Sequence, residues 1–212
     1  MLREEYLKAV LPDRHAVLGV RLRPYSLGHD LLLERLGSPF YTLASVPDFT
    51  DLALAVNVCA REFHAADEWL NSPGLPAEMK AFAKSIVRDC KSKLDVPAKV
   101  DAFVEYVAAG KRVPEFRWQE SEHTEVIALE SPTVQVVKVA LMARLGYTEA
   151  EALNCPYGLA WWNYVTLFEV EGRMRLLDRE KIAVQQARAD EFDNFVRKGG
   201  KPQEFKASWA RN

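Results

Sequence analysis

The feature that most restricts this chain is a spacing. Leu52, Ala55, Val56, Cys59, Ala60 and Phe63 fall at offsets 0, 3, 4, 7, 8 and 11. Met79, Phe82, Ala83, Ile86, Val87 and Cys90 repeat those offsets, and so do Tyr157, Ala160, Trp161, Tyr164, Val165 and Phe168. Val100, Phe103, Val104, Val107 and Ala108 follow the first five of them. Such a period is one face of an α-helix, and several apolar stripes in one chain must bury one another. The offsets recur while the residues differ, so helix periodicity rather than a solenoid repeat is at work. The expected class is mainly α, a bundle-like domain of about six to eight helices with two or three short strands.

Punctuation separates the stripes. "NSPGLP" at 71–76 parts the first from the second, and Asp95 with Pro97 opens the third as cap and early-turn proline. "SPTVQVVKVALMARLG" contains a β-branched run, Val134 to Val139, that suits a strand or a helix. Its Ser-Pro start, its stop at Gly146 and its length favour a helix buried on most sides. Thr148 and Glu151 form a capping box, "NCPYG" interrupts, and Gly172 closes the tryptophan-bearing helix. "RMRLL" alternates as a short strand, and a charged helix runs from Asp178 toward Gly199-Gly200. Lys111 to Glu130 is polar and aromatic without a stripe, which reads as a connector with a short strand over Phe116 to Trp118. The expected organisation is a helical subdomain over 1–112, a connector over 113–130, a second helical subdomain over 131–200 and a tail over 201–212, or all of these as one domain.

"LRPYSLGHDLLLERLGSPF", from Leu22 to Phe40, concentrates unusual residues. Leu18, Val20 and Leu22 alternate with Gly19, Arg21 and Arg23 as a half-buried strand does, and Pro24 stops it. Ser26 is placed to cap a short helix whose Leu27, Leu31 and Leu36 share one side, and Gly37 with Ser38-Pro39 ends it. Gly28 weakens that helix by about 1 kcal/mol relative to alanine. His29, Asp30 and Glu34 invite an acid–base reading. Carboxylates in a first helical turn also suit the macrodipole, so the favoured expectation is that the leucines pack while these three face water.

Other chemistry lacks its spacing. His64 and Glu68 share a helix face with Asp67 nearby, but Cys59 lies about 140° around the helix. Glu120 and His123 make a single E-x-x-H where a di-iron bundle needs two. There is no G-x-S-x-G, no GxGxxG, and "AAGKRV" lacks the first glycine and the hydroxyl residue of a phosphate loop. The expectation is a protein that is not an enzyme and uses no cofactor or metal. A formal charge of −2 makes nucleic acid an unlikely default partner. Three scattered cysteines, no membrane-length apolar run and no signal-peptide core predict a cytoplasmic location.

Interaction candidates remain. Trp161 lies on its stripe and reads as core, whereas Trp162 sits about 100° away, over a second layer or facing a partner. Phe116 and Trp118 in the connector, and Phe205 and Trp209 in the tail, are aromatic anchors of the kind interfaces use. Arg21 and Arg23 on one strand and Arg173 and Arg175 on another would gather like charge if the strands were neighbours; otherwise they simply point outward.

"LRPYSLGHDLLLERLGSPF" and "ARLGYTEAEALNCPYGLAWWNYVTLFEVEGRMRLL" resemble bacteriophage and prophage tail assembly chaperones, in the L-R-P-x-S-L-G segment and the N-x-P-Y break before a tryptophan-containing helix. The resemblance implies a cytoplasmic, non-catalytic protein of virion morphogenesis that binds the tape-measure protein or tail subunits. A homo-oligomer is a second partner class. Two alternatives stand beside it: a structural virion component such as a head–tail connector, and a helical enzyme or metal-binding protein using His29, Asp30, Glu34, His64 and Glu68.

Overall fold

A computed structural model describes residues 2–42, 45–89, 95–119 and 131–199. The chain is mainly helical: eleven helices and two small two-stranded antiparallel sheets are present among the described residues. In order these are α1 (Leu2–Val10), β1 (Ala16–Val17), β2 (Val20–Arg21), α2 (Leu27–Arg35), α3 (Pro39–Thr42), α4 (Phe49–Cys59), α5 (Phe63–Leu70) and α6 (Leu75–Asp89). Then follow α7 (Val96–Gly110), β3 (Phe116–Trp118), α8 (Thr133–Leu145), α9 (Glu149–Asn154), α10 (Tyr157–Val170), β4 (Met174–Leu176) and α11 (Arg179–Arg197).

The well-signalled elements form where expected. Asp95 caps α7 through Ala98 N–H, with proline in its first turn. Thr148 and Glu151 complete a capping box on α9. The stretch after Ser131-Pro132 is helical, and Gly146 ends it in the left-handed conformation at φ 73°. That helix is one-faced rather than buried on most sides: Val134, Val137 and Leu141 are buried while Val139 is 48% exposed.

Three helices exceed the expected number. The charged N-terminal stretch forms α1, and Pro39 opens the short α3. The stripe from Leu52 to Phe63 breaks into α4 and α5 at Ala60–Glu62, where α5 starts without a side-chain cap. The alternation at Leu18–Leu22 is not one strand. Leu18 at φ 53° and Gly19 at φ 74° turn the chain into a tight hairpin, pairing Val17 with Val20 and Ala16 with Arg21.

Two apolar clusters hold the fold. One gathers Leu32, Leu33, Phe40, Leu52, Val56, Phe103 and Tyr106 from α2, α3, α4 and α7, with α5 and α6 closing it. The second gathers Leu27 of α2 with Val137, Leu141, Ala152, Ala160, Val165 and Met174 from α8, α9, α10 and the β3–β4 sheet. Helix α2 belongs to both. Its expected stripe of Leu27, Leu31 and Leu36 is replaced by Leu27 facing one cluster and Leu32 and Leu33 facing the other.

The two segments that carry the family resemblance meet in space. Tyr157 N–H donates to the Tyr25 carbonyl at 2.7 Å, Leu27 N–H donates to the Cys155 carbonyl at 3.3 Å, and Ser26 bridges Pro156. Gly28 permits this contact: a Cβ there would lie 2.6 Å from Phe63 Cδ2 and 2.9 Å from the Leu153 carbonyl oxygen.

Candidate functional site

The acid–base candidates are not solvated. His29 and Asp30 are buried, at 1% and 3% exposure, and only Glu34 faces water. The short α2 is wedged between two clusters, so its first turn has no outer face to offer. Ser26 Oγ accepts the His29 N–H at 3.2 Å, and His29 Nδ1 accepts the Ser26 N–H at 3.2 Å. This is a capping box with histidine in place of the usual glutamate or glutamine. Since a backbone N–H only donates, Nε2 carries the ring hydrogen and donates to the Arg61 carbonyl at 2.8 Å. Burial, with Arg23 adding to it, pushes the imidazole down to about 4, so the ring is neutral at pH 7.

Asp30 is held as firmly. Tyr25 Oη donates to Asp30 Oδ1 at 2.7 Å, and Lys111 Nζ lies 2.5 Å from the same oxygen. The Lys111 ammonium is framed by the rings of Tyr41, Tyr25 and Tyr157 at 4.7, 5.8 and 5.8 Å. Burial and the Asp30 charge together raise the Tyr25 phenol far above its ordinary range. Both ring nitrogens of His29 are spent on backbone groups, and Asp30 is spent on two side chains. These contacts tie the first turn of α2 to the Arg61 carbonyl, to Tyr25 and to Lys111.

A different surface is open. In the second sheet Phe116 pairs with Leu176, Arg117 with Arg175, and Trp118 with Met174. Met174 is buried, so the alternation of the strand turns Arg173 and Arg175 outward, and Arg117 stands directly across from Arg175. Like charges in directly opposed positions destabilise a sheet by a few tenths to about 1 kcal/mol. Arg117 and Arg175 have no acidic partner among the described residues. Arg173 is 3.8 Å from Glu171, which Arg144 already engages, and its guanidinium covers the Phe168 ring at 5.4 Å.

Beside this basic strand pair, α8 and α10 leave a groove of about 610 Å³. Val136, Val139, Ala140, Tyr164 and Phe168 line it, and Arg144 and Arg173 stand on its rim. The groove is apolar in the middle and cationic at its border, which suits a polypeptide segment with both characters.

The remaining candidates are distributed as follows. Trp162 is buried, with Tyr6 of α1 meeting its ring edge-on at 5.6 Å, so it serves the second layer rather than facing a partner. Trp161 is the less buried of the pair and stacks on Phe116 at 5.8 Å, which ties Phe116 into the second cluster. Trp118 takes part in β3 through its backbone pairing. Phe205, Trp209, Glu120 and His123 lie outside the described residues. Arg21 is exposed, Arg23 pairs with Glu62 at 2.8 Å, and β2 and β4 belong to different sheets. The convergence of positive charge involves Arg117 instead, whose only sequence signal was its place in the expected Phe116–Trp118 strand. His64 and Glu68 are both exposed on α5, and no group of three metal-ligating side chains is gathered among the described residues.

A second cleft, of about 520 Å³, lies under α1 between Tyr106, Pro156 and Trp162. Its charges are of mixed sign, and Lys8 pairs with Glu4 within α1 itself. No helix of the described residues is long and apolar enough to cross a membrane. No family model matches the chain, and no curated protein or solved structure matches it significantly.

Proposed function

We propose that this chain is a non-catalytic protein-binding factor of phage or prophage morphogenesis, a tail assembly chaperone that engages the tape-measure protein or tail subunits. The observation that carries the binding part of this reading is the exposed apolar groove between α8 and α10, with Arg144 and Arg173 on its rim and, on the adjoining sheet, Arg117 and Arg175 without acidic partners among the described residues. What weighs against the acid–base alternative is that His29 and Asp30 are committed to internal contacts. The morphogenesis part rests on the resemblance of the L-R-P-x-S-L-G and N-x-P-Y segments to tail assembly chaperones.

The test is co-expression with the tail and tape-measure proteins encoded beside it, followed by affinity purification and mass spectrometry of finished particles. A chaperone co-purifies with one of those proteins and is absent from the virion. Failure to co-purify with any of them, together with normal particle assembly after deletion, overturns the reading. Stoichiometric presence in finished particles replaces it with a structural role such as a head–tail connector.

A further inference from the structure

We propose that the α8–α10 groove seats an acidic, amphipathic helix presented by another protein, its apolar stripe on Val139 and Phe168 and its carboxylates on Arg117, Arg173 and Arg175. This deepens the protein-binding reading and rests on it, adding the chemistry of the partner.

The groove follows α8, whose thirteen residues extend about 20 Å, a length that three to four turns of a docked helix match. A third helix laid between two packed ones buries residues at i, i+3, i+4 and i+7, the usual helix-in-groove mode. Val139 is 48% exposed on a helix whose other valines are largely covered, so it is available as a contact. Charge then selects the partner. Arg173 stands on the groove rim and at the start of β4; Arg175 lies about 7 Å further along the same outward face, with Arg117 opposite. Carboxylates placed along a docked helix would answer the repulsion between Arg117 and Arg175, which nothing among the described residues answers. The whole chain carries −2, so this face is a local concentration of positive charge on an otherwise acidic molecule. A nucleic acid would use the arginines but leave Val136, Val139 and Ala140 of the groove unmatched, which favours a polypeptide.

The test uses the full chain and a labelled synthetic helix of about 16 residues with leucines at i, i+3, i+4 and i+7 and glutamates elsewhere. A peptide with the same leucines and lysines in place of glutamates, and a short DNA duplex, serve as the comparison probes. The proteins are the wild type, the double variant Arg117→Glu/Arg175→Glu, and Val139→Glu, each checked for an unchanged melting temperature. The glutamate peptide is expected to bind the wild type at least about tenfold more tightly than the lysine peptide, with affinity falling as salt rises. Each variant is expected to lose about tenfold or more. Equal binding of the two peptides, full binding by both variants, or displacement of the peptide by DNA overturns the proposal. The two readings separate cleanly. Peptide binding without co-purification of any tail protein, together with normal particle assembly after deletion, overturns the assembly role alone, while co-purification unaffected by both variants overturns the groove proposal alone.

Discussion

The imidazole of His29 joins the first turn of α2 to the carbonyl of Arg61, donating from Nε2 across 2.8 Å while Nδ1 accepts the Ser26 N–H. Both partners are backbone groups, and both require the neutral ring. Protonation would set an N–H at Nδ1 against the Ser26 N–H and place a charge in a buried site. The folded ring therefore titrates near 4 while the unfolded one titrates near its ordinary 6.5.

The sign follows from linkage. Above pH 6.5 neither state binds the proton and the contribution is fully present; below it the unfolded chain takes up a proton that the folded chain refuses. Stability falls as the pH drops from 6.5 toward 4, by up to about 3 kcal/mol from this residue. Denaturant midpoints measured from pH 7.5 to pH 4.5 should fall more steeply in the wild type than in His29→Gln, and an unchanged slope would remove His29 from the account.

Asp30 and Lys111 form a pair with one buried member. Lys111→Met leaves a carboxylate under cover with only the Tyr25 hydroxyl, and should cost about 2–4 kcal/mol. Adding Asp30→Asn to it should recover part of that loss. A double-mutant cycle by urea unfolding measures the coupling, and strict additivity would count against a direct pair.

Gly28→Ala raises intrinsic helix propensity by about 1 kcal/mol, yet it should destabilise the protein by about 1–3 kcal/mol. The new methyl meets Phe63 and the Leu153 carbonyl oxygen, and that oxygen belongs to backbone that cannot rotate aside. Urea midpoints decide it; a stabilised variant would mean that α2 and α9 separate easily.

How much of this was legible beforehand depends on where each signal resides. Caps and breakers are local, so Ser26, Asp95, Thr148, Gly146 and Gly172 marked helix ends correctly from the sequence. The break between α4 and α5 carries no glycine or proline, and the apolar period continues straight through it. The hairpin at Leu18-Gly19 shares its alternation with a single strand, and the choice depends on a positive φ at leucine. The burial of His29 depends on a carbonyl thirty-two residues away, and the basic face on which strand lies beside β4. Such information belongs to pairs of segments and is absent from either alone.

Cys59 and Cys155 should behave as inert core residues. Burial pushes their thiols up to about 12 and about 11, which leaves almost no thiolate at neutral pH. In a Cys90→Ser chain, a thiol-reactive chromophore should report no modification of the native protein over minutes and two thiols after denaturation. Rapid native labelling would show that one of the clusters opens readily.

Helix α2 gives Leu27 to one cluster and Leu32 and Leu33, little more than a turn later, to the other. The second half of the chain therefore keeps part of its interior on loan from nine residues that belong to the first. Fragment 113–212 produced alone, without Leu27, should be largely unstructured, and adding fragment 1–112 should fold it into one complex that melts in a single cooperative step. The stretch that looked like an active site is the seam along which two half-chains recognise each other.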